Sequence, residues 1–186
     1  GYVGVGEFGY KDRRAYRIWT GILTRAYNPK FKVKNPAYAD TTICEAWNNF
    51  QNFAKWYYSQ KSYDSADESC KPFHLDKDLL VKGNKIYSPE TCCFVPQEIN
   101  ALISLNSSIR GDFPIGVSKC GSKFRVKINL GKLKKHIGVY ATVEEAFQAY
   151  KARKESYIKS VAMKWKDSLD EKVFISLFNY EISIDD

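Results

Sequence analysis

"IGVSKCGSKFRVKINLGKLKKHIGVYATVEEAFQAY", residues 115–150, carries the clearest structural pattern in the chain. Up to Tyr140, apolar side chains alternate with polar and cationic ones. The alternation is interrupted at Cys120-Gly121 and Leu130-Gly131, two pairs typical of turns. A period of two between such turns predicts three short antiparallel strands.

The alternation also predicts two different faces for this sheet. The apolar positions are Val117, Phe124, Val126, Ile128, Leu130, Ile137 and Val139. The positions between them include Lys119, Lys123, Arg125, Lys127, Lys134 and His136. Because successive side chains of a strand point to opposite faces, we expect one apolar face and one basic face.

A helix is expected directly after the third strand. Thr142 is followed three residues later by Glu145, which is the spacing of a capping box at a helix start. The residues predicted to form the covering stripe are Ala146, Ala149, Tyr150, Arg153 and Tyr157. We therefore expect this helix to cover the apolar face of the sheet.

The positive charge of the chain is concentrated in the same region. The net charge is +8, and residues 119–135 hold seven Lys or Arg and no acid. A solvated strand face is one explanation, but neighbouring like charges on a strand destabilise it. An anionic partner explains the concentration better, and double-stranded DNA is the expected partner, since a β-ribbon can enter the major groove.

The region resembles the DNA-binding domain of plant ethylene-response transcription factors. The matching pieces are Gly116-Val117, the strand ending at Ile128, the step Ile137-Gly138-Val139-Tyr140, and Glu144-Glu145-Ala146 leading into Ala149-Tyr150. In that family arginines and tryptophans of the sheet contact DNA, whereas this chain has Ser118 and His136 at two of those places. The expected DNA-binding residues are Ser118, Lys119, Lys123, Arg125, Lys127, Lys132, Lys134, Lys135 and His136.

Two helices and a loop are predicted near the start of the chain. Residues 15–28 form an amphipathic pattern with Trp19, Leu23, Ala26 and Tyr27 on one face. The segment 29–38 is polar and bounded by prolines, which favours a loop. Residues 43–60 predict a second helix, and its core-facing residues would be Trp47, Phe50, Phe53 or Ala54, and Tyr57.

The stretch "HLDKDLLVKGNKIYSPETCCFVPQEIN", residues 74–100, predicts a strand, a turn, a second strand and a helix. Lys82-Gly83-Asn84 is the turn signal. Ser88, Pro89 and Glu90 are typical of a helix start, with a hydroxyl cap followed by proline and an acid. These residues alone leave open whether the hairpin carries a surface charge cluster or a metal site.

This stretch resembles the HNH motif of phage homing-type endonucleases, and residues 16–28 and 42–57 resemble the segments that precede it. The resemblance implies a ββα-metal fold, in which a hairpin and a helix hold one Mg²⁺ or Mn²⁺ ion. It places Asp76 and Asn100 as metal ligands and Asn84 as the loop residue that holds the general base. The usual Asp-His pair is Asp76-Lys77 here, so the catalytic base is either His74 or Lys77. The alternative is an inactive HNH-like scaffold that binds DNA as a regulator or inhibitor of host nucleic-acid machinery.

A zinc site is a weaker interpretation of the same region. Cys70, His74, Cys92 and Cys93 could be drawn as a ligand set, but the short paired spacing of zinc fingers is missing. Small buried hydrophobic side chains are the simpler role for these cysteines. The expected cofactor remains the one that the HNH resemblance implies, Mg²⁺ or Mn²⁺, and zinc is not expected.

The predicted fold class is α+β. An HNH-like nuclease domain is expected over residues 1–108, the sheet domain over 109–162, and a C-terminal helix and tail over 163–186, with the linker near 106–114. The last helix is predicted from about Asp167 to Phe178. No apolar run approaches the roughly 20 residues of a membrane span. The HNH resemblance implies a phage protein in the cytoplasm of a bacterial host.

Overall fold

A computed structural model describes residues 1–65, 71–103, 112–130 and 133–185. The fold is α+β, as predicted, and the described residues form six α-helices and a three-stranded antiparallel sheet. They divide into two compact units, one of residues 1–96 and 168–173 and one of residues 97–167 and 174–186. None of the described helices has the length and apolar composition that a bilayer span requires.

The first unit contains three helices and four short strands. The helices are α1 (Arg13–Tyr27), α2 (Pro29–Lys34) and α3 (Phe50–Ser59). The strands are β1 (Thr42–Ile43), β2 (His74–Asp76), β3 (Ile86–Tyr87) and β4 (Cys93–Val95). β1 pairs with β3 in parallel, and β2 pairs with β4 in antiparallel orientation.

Aromatic side chains form the core of this unit. Trp47 and Phe53 meet edge to face with ring centroids 5.0 Å apart, and Trp56 stacks on Phe94 at 5.8 Å. The indole of Trp19 donates a hydrogen bond to the backbone oxygen of Trp47 at 2.7 Å. This bond satisfies the polar edge of a buried ring and ties α1 to the segment before α3.

Three sequence predictions for this unit are wrong in detail. Residues 29–34 form helix α2 rather than a loop, because the Asn28 side chain caps it by accepting from Phe31 N. The predicted 43–60 helix is a short strand, a 3₁₀ turn at Glu45–Asn48 and helix α3, which the Asn49 side chain caps. Tyr27 is 56% exposed and does not share the buried face of α1.

The hairpin is built differently from its sequence prediction. Ser88 does not start a helix, since Cys92 N donates to Ser88 O in a turn and β4 follows. The partner of β2 is β4, and the segment predicted as the second strand instead pairs with β1 as β3. The helix begins only after Pro96, as α4 (Gln97–Ile103). A strand buried over its whole length, as β4 is, carries no alternation that the sequence could show.

The second unit contains the predicted sheet and helix. The strands are β5 (Val117–Cys120), β6 (Lys123–Leu130) and β7 (Leu133–Tyr140), in the order β5-β6-β7. Helix α5 (Val143–Trp165) begins with the predicted capping box between Thr142 and Glu145. The last helix, α6 (Glu171–Phe178), begins four residues later than predicted and crosses from the first unit into the second.

A β-bulge changes the faces of β7. Val126 pairs with Gly138, but the next residue, Lys127, pairs with His136, so Ile137 is the extra residue. Val139 therefore lies opposite Arg125 on the outer face and is 46% exposed, contrary to its predicted place on the apolar face. A glycine inside the strand is the one sequence feature that accompanies the bulge.

Helix α5 covers the inner face of the sheet with a different stripe from the one predicted. Its buried residues are Ala146, Phe147, Tyr150, Lys154, Ile158, Val161, Ala162 and Trp165. Arg153 is exposed and Tyr157 only half-buried. Burial without a charged partner lowers the pKa of Lys154 to about 8. The far end of α5 is joined to α4, where the Trp165 indole donates to Glu98 Oε2 at 2.9 Å.

Candidate functional site

The β2–β4 pair and the loop between its strands bring together four of the predicted catalytic residues. His74 and Asp76 are two residues apart on β2, and Lys77 and Asn84 belong to the loop of residues 77–86, called here the 77–86 loop. His74 is exposed and Asp76 is half-buried. Alternation along β2 places His74 and Asp76 on the same face of the strand.

The carboxylate of Asp76 holds the start of the 77–86 loop. Its Oδ1 accepts hydrogen bonds from the backbone N–H of Asp78 at 2.8 Å and of Leu79 at 2.7 Å. Burial raises the pKa of Asp76, although these two amides act in the opposite direction. Within the described chain Oδ2 accepts no hydrogen bond, so one oxygen of this carboxylate remains available to a cation.

Lys77 is directed into the protein and is only 7% exposed. Its Nζ donates to Asp78 Oδ1 at 2.6 Å and to the backbone oxygen of Asn84 at 2.9 Å. The same ammonium lies 6.0 Å from the centre of the Tyr87 ring. An ammonium that donates to a carboxylate and to a carbonyl links the start of the loop to Asn84 through charge-assisted hydrogen bonds.

Asn84 closes the 77–86 loop through its side-chain amide. Nδ2 donates to Lys77 O at 2.9 Å and to Ile86 O at 2.7 Å, and Oδ1 accepts from Ile86 N at 3.1 Å. Gly83, directly before it, has a φ of 73°, which a side chain would strain. Asn84 thus fixes both ends of the loop that follows Asp76.

We expect Asn84→Ala to lower the free energy of unfolding by about 1–3 kcal/mol, because three hydrogen bonds are lost. Urea unfolding measures this change, and amide hydrogen exchange should show faster exchange in the 77–86 loop than elsewhere. Asn84→Asp is the matched control. Aspartate keeps the acceptor for Ile86 N but places a carboxylate oxygen against two carbonyl oxygens. Asn84→Asp should therefore lower the free energy of unfolding by at least as much as Asn84→Ala. An alanine variant with wild-type stability and exchange would contradict the loop-closing role.

The cysteines of this region are buried thiols. Cys92 and Cys93 are both 0% exposed. Burial raises the pKa of Cys92 to about 12 and that of Cys93 well above its ordinary value, so the thiolate form needed for zinc is disfavoured. Cys70 lies outside the described residues. Cys44, Cys92, Cys93 and Cys120 are free.

The predicted metal ligands lie in different units. Asp76 belongs to the first unit, and Asn100 lies on α4 in the second. Over the described ranges, no three His, Cys, Asp or Glu side chains form a group that could hold a metal ion. A carboxylate with one free oxygen is still a suitable partial ligand set for Mg²⁺, which keeps several waters and commonly takes one or two protein carboxylates.

The outer face of the sheet forms the second candidate site, and it is called here the basic face. Val126, Ile128 and Leu130 are buried under α5, so the alternate residues of β6 point outward. The register adds residues from both neighbouring strands. The outward positions are Ser118, Cys120, Lys123, Arg125, Lys127, Asn129, Lys134, His136 and Val139.

Arg125 is held at the centre of the basic face. It lies on the middle strand opposite Ser118, and its Nη2 donates to Cys120 Sγ at 3.0 Å. On the other side, His136 Nδ1 lies 3.4 Å from the Val126 carbonyl beside the bulge. A guanidinium held in this way presents its remaining donors to the outside with little conformational freedom to lose.

Gly116, with which the resemblance begins in the second unit, has a clear packing role. Gly116 has a φ of 76°, and a Cβ there would lie 2.2 Å from the Tyr150 ring and 2.9 Å from Lys127 O. Its own carbonyl accepts from Lys127 N at 2.9 Å. Only glycine allows the chain to pass this closely between α5 and the sheet.

The remaining predicted DNA-binding residues lie elsewhere. Lys119 pairs with Phe124 and Lys135 with Ile128, which places them in register with side chains of the inner face, although both lysines are exposed on the outer strands. Lys132 lies outside the described residues. Cys120, Asn129 and Val139 were missed by the sequence analysis; the register could have indicated the first two, but only the bulge reveals Val139.

Comparison of the chain with protein-family models, with curated proteins and with solved structures finds no match.

Proposed function

We propose that this protein is a metal-dependent DNA endonuclease of the phage HNH homing type, which grips double-stranded DNA through the basic face and nicks it from its N-terminal unit. The observation that carries the proposal is the basic face itself. Lys123, Arg125 and Lys127 alternate outward along one strand, and residues 117–140 contain no acid to neutralise them. Such a surface suits the phosphates and base edges of a duplex.

The nuclease assignment is supported by Asp76 and the loop that follows it. Asp76 lies on a strand and is partly buried. Its Oδ2 accepts no hydrogen bond from any described residue. When bound, Mg²⁺ supplies positive charge to the scissile phosphate and the leaving oxygen. Asp76 would hold it through Oδ2. The HNH resemblance implies Asn100 as a second ligand, but this residue belongs to the other unit, so the proposal rests on Asp76. Asn84 would keep the loop that follows Asp76 closed.

His74 is the preferred general base in this proposal. It is exposed on the same strand as Asp76 and can receive a proton from water, while Lys77 is buried and already donates to Asp78 and to a backbone carbonyl. A protonated lysine in such a pair cannot accept a proton. The proposal thus assigns proton transfer to His74 and loop support to Lys77.

We expect the full-length protein to convert supercoiled plasmid into nicked circles with Mg²⁺ or Mn²⁺ and to stop on addition of EDTA. Cleavage should rise with pH as the general base loses its proton. His74→Ala should lose most of the rate without loss of stability, because the side chain is exposed. Lys77→Met should lower stability, since it leaves Asp78 and a carbonyl without their partner.

If cleavage rises only at higher pH and His74→Ala keeps the wild-type cleavage rate, the base is instead Lys77. No cleavage of any duplex with either metal would exclude the enzyme and leave the second candidate, an inactive HNH-like DNA-binding protein that acts as a regulator or inhibitor. The specific observation in favour of that candidate is the buried Lys77, paired with the exposed Asp78, at the position where the motif usually carries its histidine. Under either candidate, the proposed location is the cytoplasm of a bacterial host.

A further inference from the structure

A second concentration of positive charge lies in the first unit, away from the sheet. Residues 13–39, called here the basic helical segment, contain seven Lys or Arg and no Asp or Glu. The segment comprises α1, α2 and the 3₁₀ turn Pro36–Tyr38. Elsewhere the first unit contains more acidic than basic residues, so this positive charge has a defined location.

Three of the seven cations have roles within the protein. Arg14 Nη2 donates to the Phe73 carbonyl at 3.0 Å. Lys32 Nζ donates to the Thr41 carbonyl at 3.0 Å. The Arg25 guanidinium lies 5.7 Å from the centre of the Tyr38 ring. These contacts within the protein account for the three cations without an external partner.

The other four cations have no such explanation. Arg13 and Arg17 on α1, and Lys30 and Lys34 on α2, are exposed, and among the described residues none makes a hydrogen bond or an ion pair. Each pair has i,i+4 spacing, at which like charges repel and destabilise a helix. Two uncompensated pairs in neighbouring helices therefore indicate an external anion that offsets the repulsion.

The exposed face of α1 is also shaped for close approach. It lies opposite the buried stripe of Ala15, Trp19, Ile22 and Ala26. Beyond Arg13 and Arg17 it continues with small residues, the exposed Thr24 and the half-buried Thr20 and Gly21. A Cβ at Gly21 would meet only Arg25 Nη1, at an ordinary 3.6 Å, so no described contact requires glycine there. Glycine inside an exposed helix is unfavourable, and a closely approaching partner would explain it.

The segment borders the candidate nuclease site. Arg25 and Tyr38 lie close enough to Tyr87 to affect its pKa, which burial raises and Arg25 lowers. The same Tyr87 ring faces the Lys77 ammonium of the 77–86 loop. An extended anion lying along α1 would therefore pass beside the candidate site within one compact unit.

We propose that the basic helical segment is a second duplex-DNA contact, which grips the phosphate backbone independently of the basic face. Tyr27 on α1 and Val33 on α2 are the only large apolar side chains of the fully described segment that are exposed. They do not amount to the continuous exposed apolar face with which a helix inserts into a lipid surface. Regularly spaced phosphates suit the exposed cations of the segment better than a bilayer does. The inference rests on the proposed function only in taking duplex DNA as the polyanion.

The test is fluorescence anisotropy of a labelled duplex with the full-length chain at several salt concentrations. Arg13→Ala/Arg17→Ala and Lys30→Ala/Lys34→Ala should each weaken binding. Each should also reduce the slope of log affinity against log salt by about 1.8, since each lost phosphate contact contributes about 0.9. The matched control is Lys55→Ala/Lys172→Ala, two exposed helical lysines of the same unit, which should keep the wild-type slope. Alanine favours helices, so thermal unfolding should show no loss of stability in any of the three.

The outcomes separate this inference from the proposed role of the sheet. If both helical doubles keep the affinity and slope of the control while sheet variants lose binding, the inference is overturned and the sheet contact stands. If the helical doubles lose binding and sheet variants do not, the inference holds and the sheet assignment fails. A wild-type protein that does not bind duplex DNA overturns both. Helical doubles that lose binding only to phosphatidylserine vesicles overturn the DNA contact in favour of a membrane.

Discussion

Replacing Asp76 with asparagine is expected to abolish Mg²⁺-dependent nicking while leaving the folded protein at least as stable as wild type. The asparagine Oδ1 can still accept from the amides of Asp78 and Leu79. What is lost is the negative charge, which binding of Mg²⁺ requires and which burial makes unfavourable in the folded protein.

The expected stability change of Asp76→Asn depends on pH. In the folded state the pKa of Asp76 is raised above its ordinary 3.8. The wild-type carboxyl therefore favours the folded state most when it is protonated, and this contribution is lost as the pH rises through the folded pKa. Asparagine cannot ionise, so its advantage over wild type should be present at neutral pH and should shrink as the pH falls toward 4. Urea unfolding at several pH values measures it.

Asp76→Ala is the control that separates charge from hydrogen bonding. Alanine removes the acceptor of two backbone amides, so we expect a loss of about 2 kcal/mol in the free energy of unfolding together with the loss of nicking. If Asp76→Asn cuts DNA at the wild-type rate, the carboxylate does not hold the metal. If the asparagine variant is as unstable as the alanine variant, Asp76 acts through its charge in the fold instead.

The second large effect is expected on the basic face. Arg125→Ala/Lys127→Ala should weaken duplex binding by about 10- to 100-fold near 100 mM salt and reduce the salt slope by about 1.8, because two phosphate or base contacts are lost. Lys119→Ala/Lys135→Ala removes the same charge from the same sheet, but from positions in register with the inner face. Its effect should be clearly smaller. Equal losses from the two doubles would mean that net charge, and not the outer face, determines binding.

Single variants of the basic face distinguish base contacts from phosphate contacts. Arg125 is on the central strand, and if it reads a guanine edge, Arg125→Ala should cost about 1–3 kcal/mol and relax the preference at one base pair. Lys134→Ala should weaken binding to all sequences about equally. Competition between duplexes of different sequence measures both. If both variants lose the same affinity for every duplex sequence, the sheet contacts only the DNA backbone.

The alternation of residues 117–140 was sufficient to predict the three strands and the turn at Cys120-Gly121, and the capping box predicted the helix that covers them. The predicted turn at Leu130-Gly131 extends outside the described residues. Each of these features depends on neighbours in sequence: strand period, turn residues, and the capping box of Thr142 and Glu145. The same local rules located α1 and the buried residues of α3, Phe50, Phe53 and Tyr57. These local rules failed at α2. A helix of only six residues depends on its cap, which Asn28 provides, and the proline at its start is equally typical of a loop boundary.

The candidate nuclease site could be predicted only as a set of residues. Three features of this site follow from the pairing of β2 with β4, in which Asp76 and its partner Cys93 are seventeen residues apart along the chain. Asn84 closes the loop, Lys77 turns inward onto Asp78, and Asp76 keeps one oxygen without a hydrogen bond within the described chain. Nothing near Ser88 indicated this pairing, because the buried run Cys93–Val95 has no alternation and is compatible with either a strand or a helix.

By itself, the sequence determined the parts of this protein that local chemistry fixes: the α+β class, the three-stranded sheet with its long capped helix, and the concentration of cations on that sheet. Only the tertiary structure decided which strand pairs with β2, that the bulge turns Val139 outward, and which lysines share a face with Arg125. The physical reason is that strand register and bulges depend on hydrogen bonds between distant segments, and a shift of one residue exchanges the two faces of a strand without changing its pattern in the sequence.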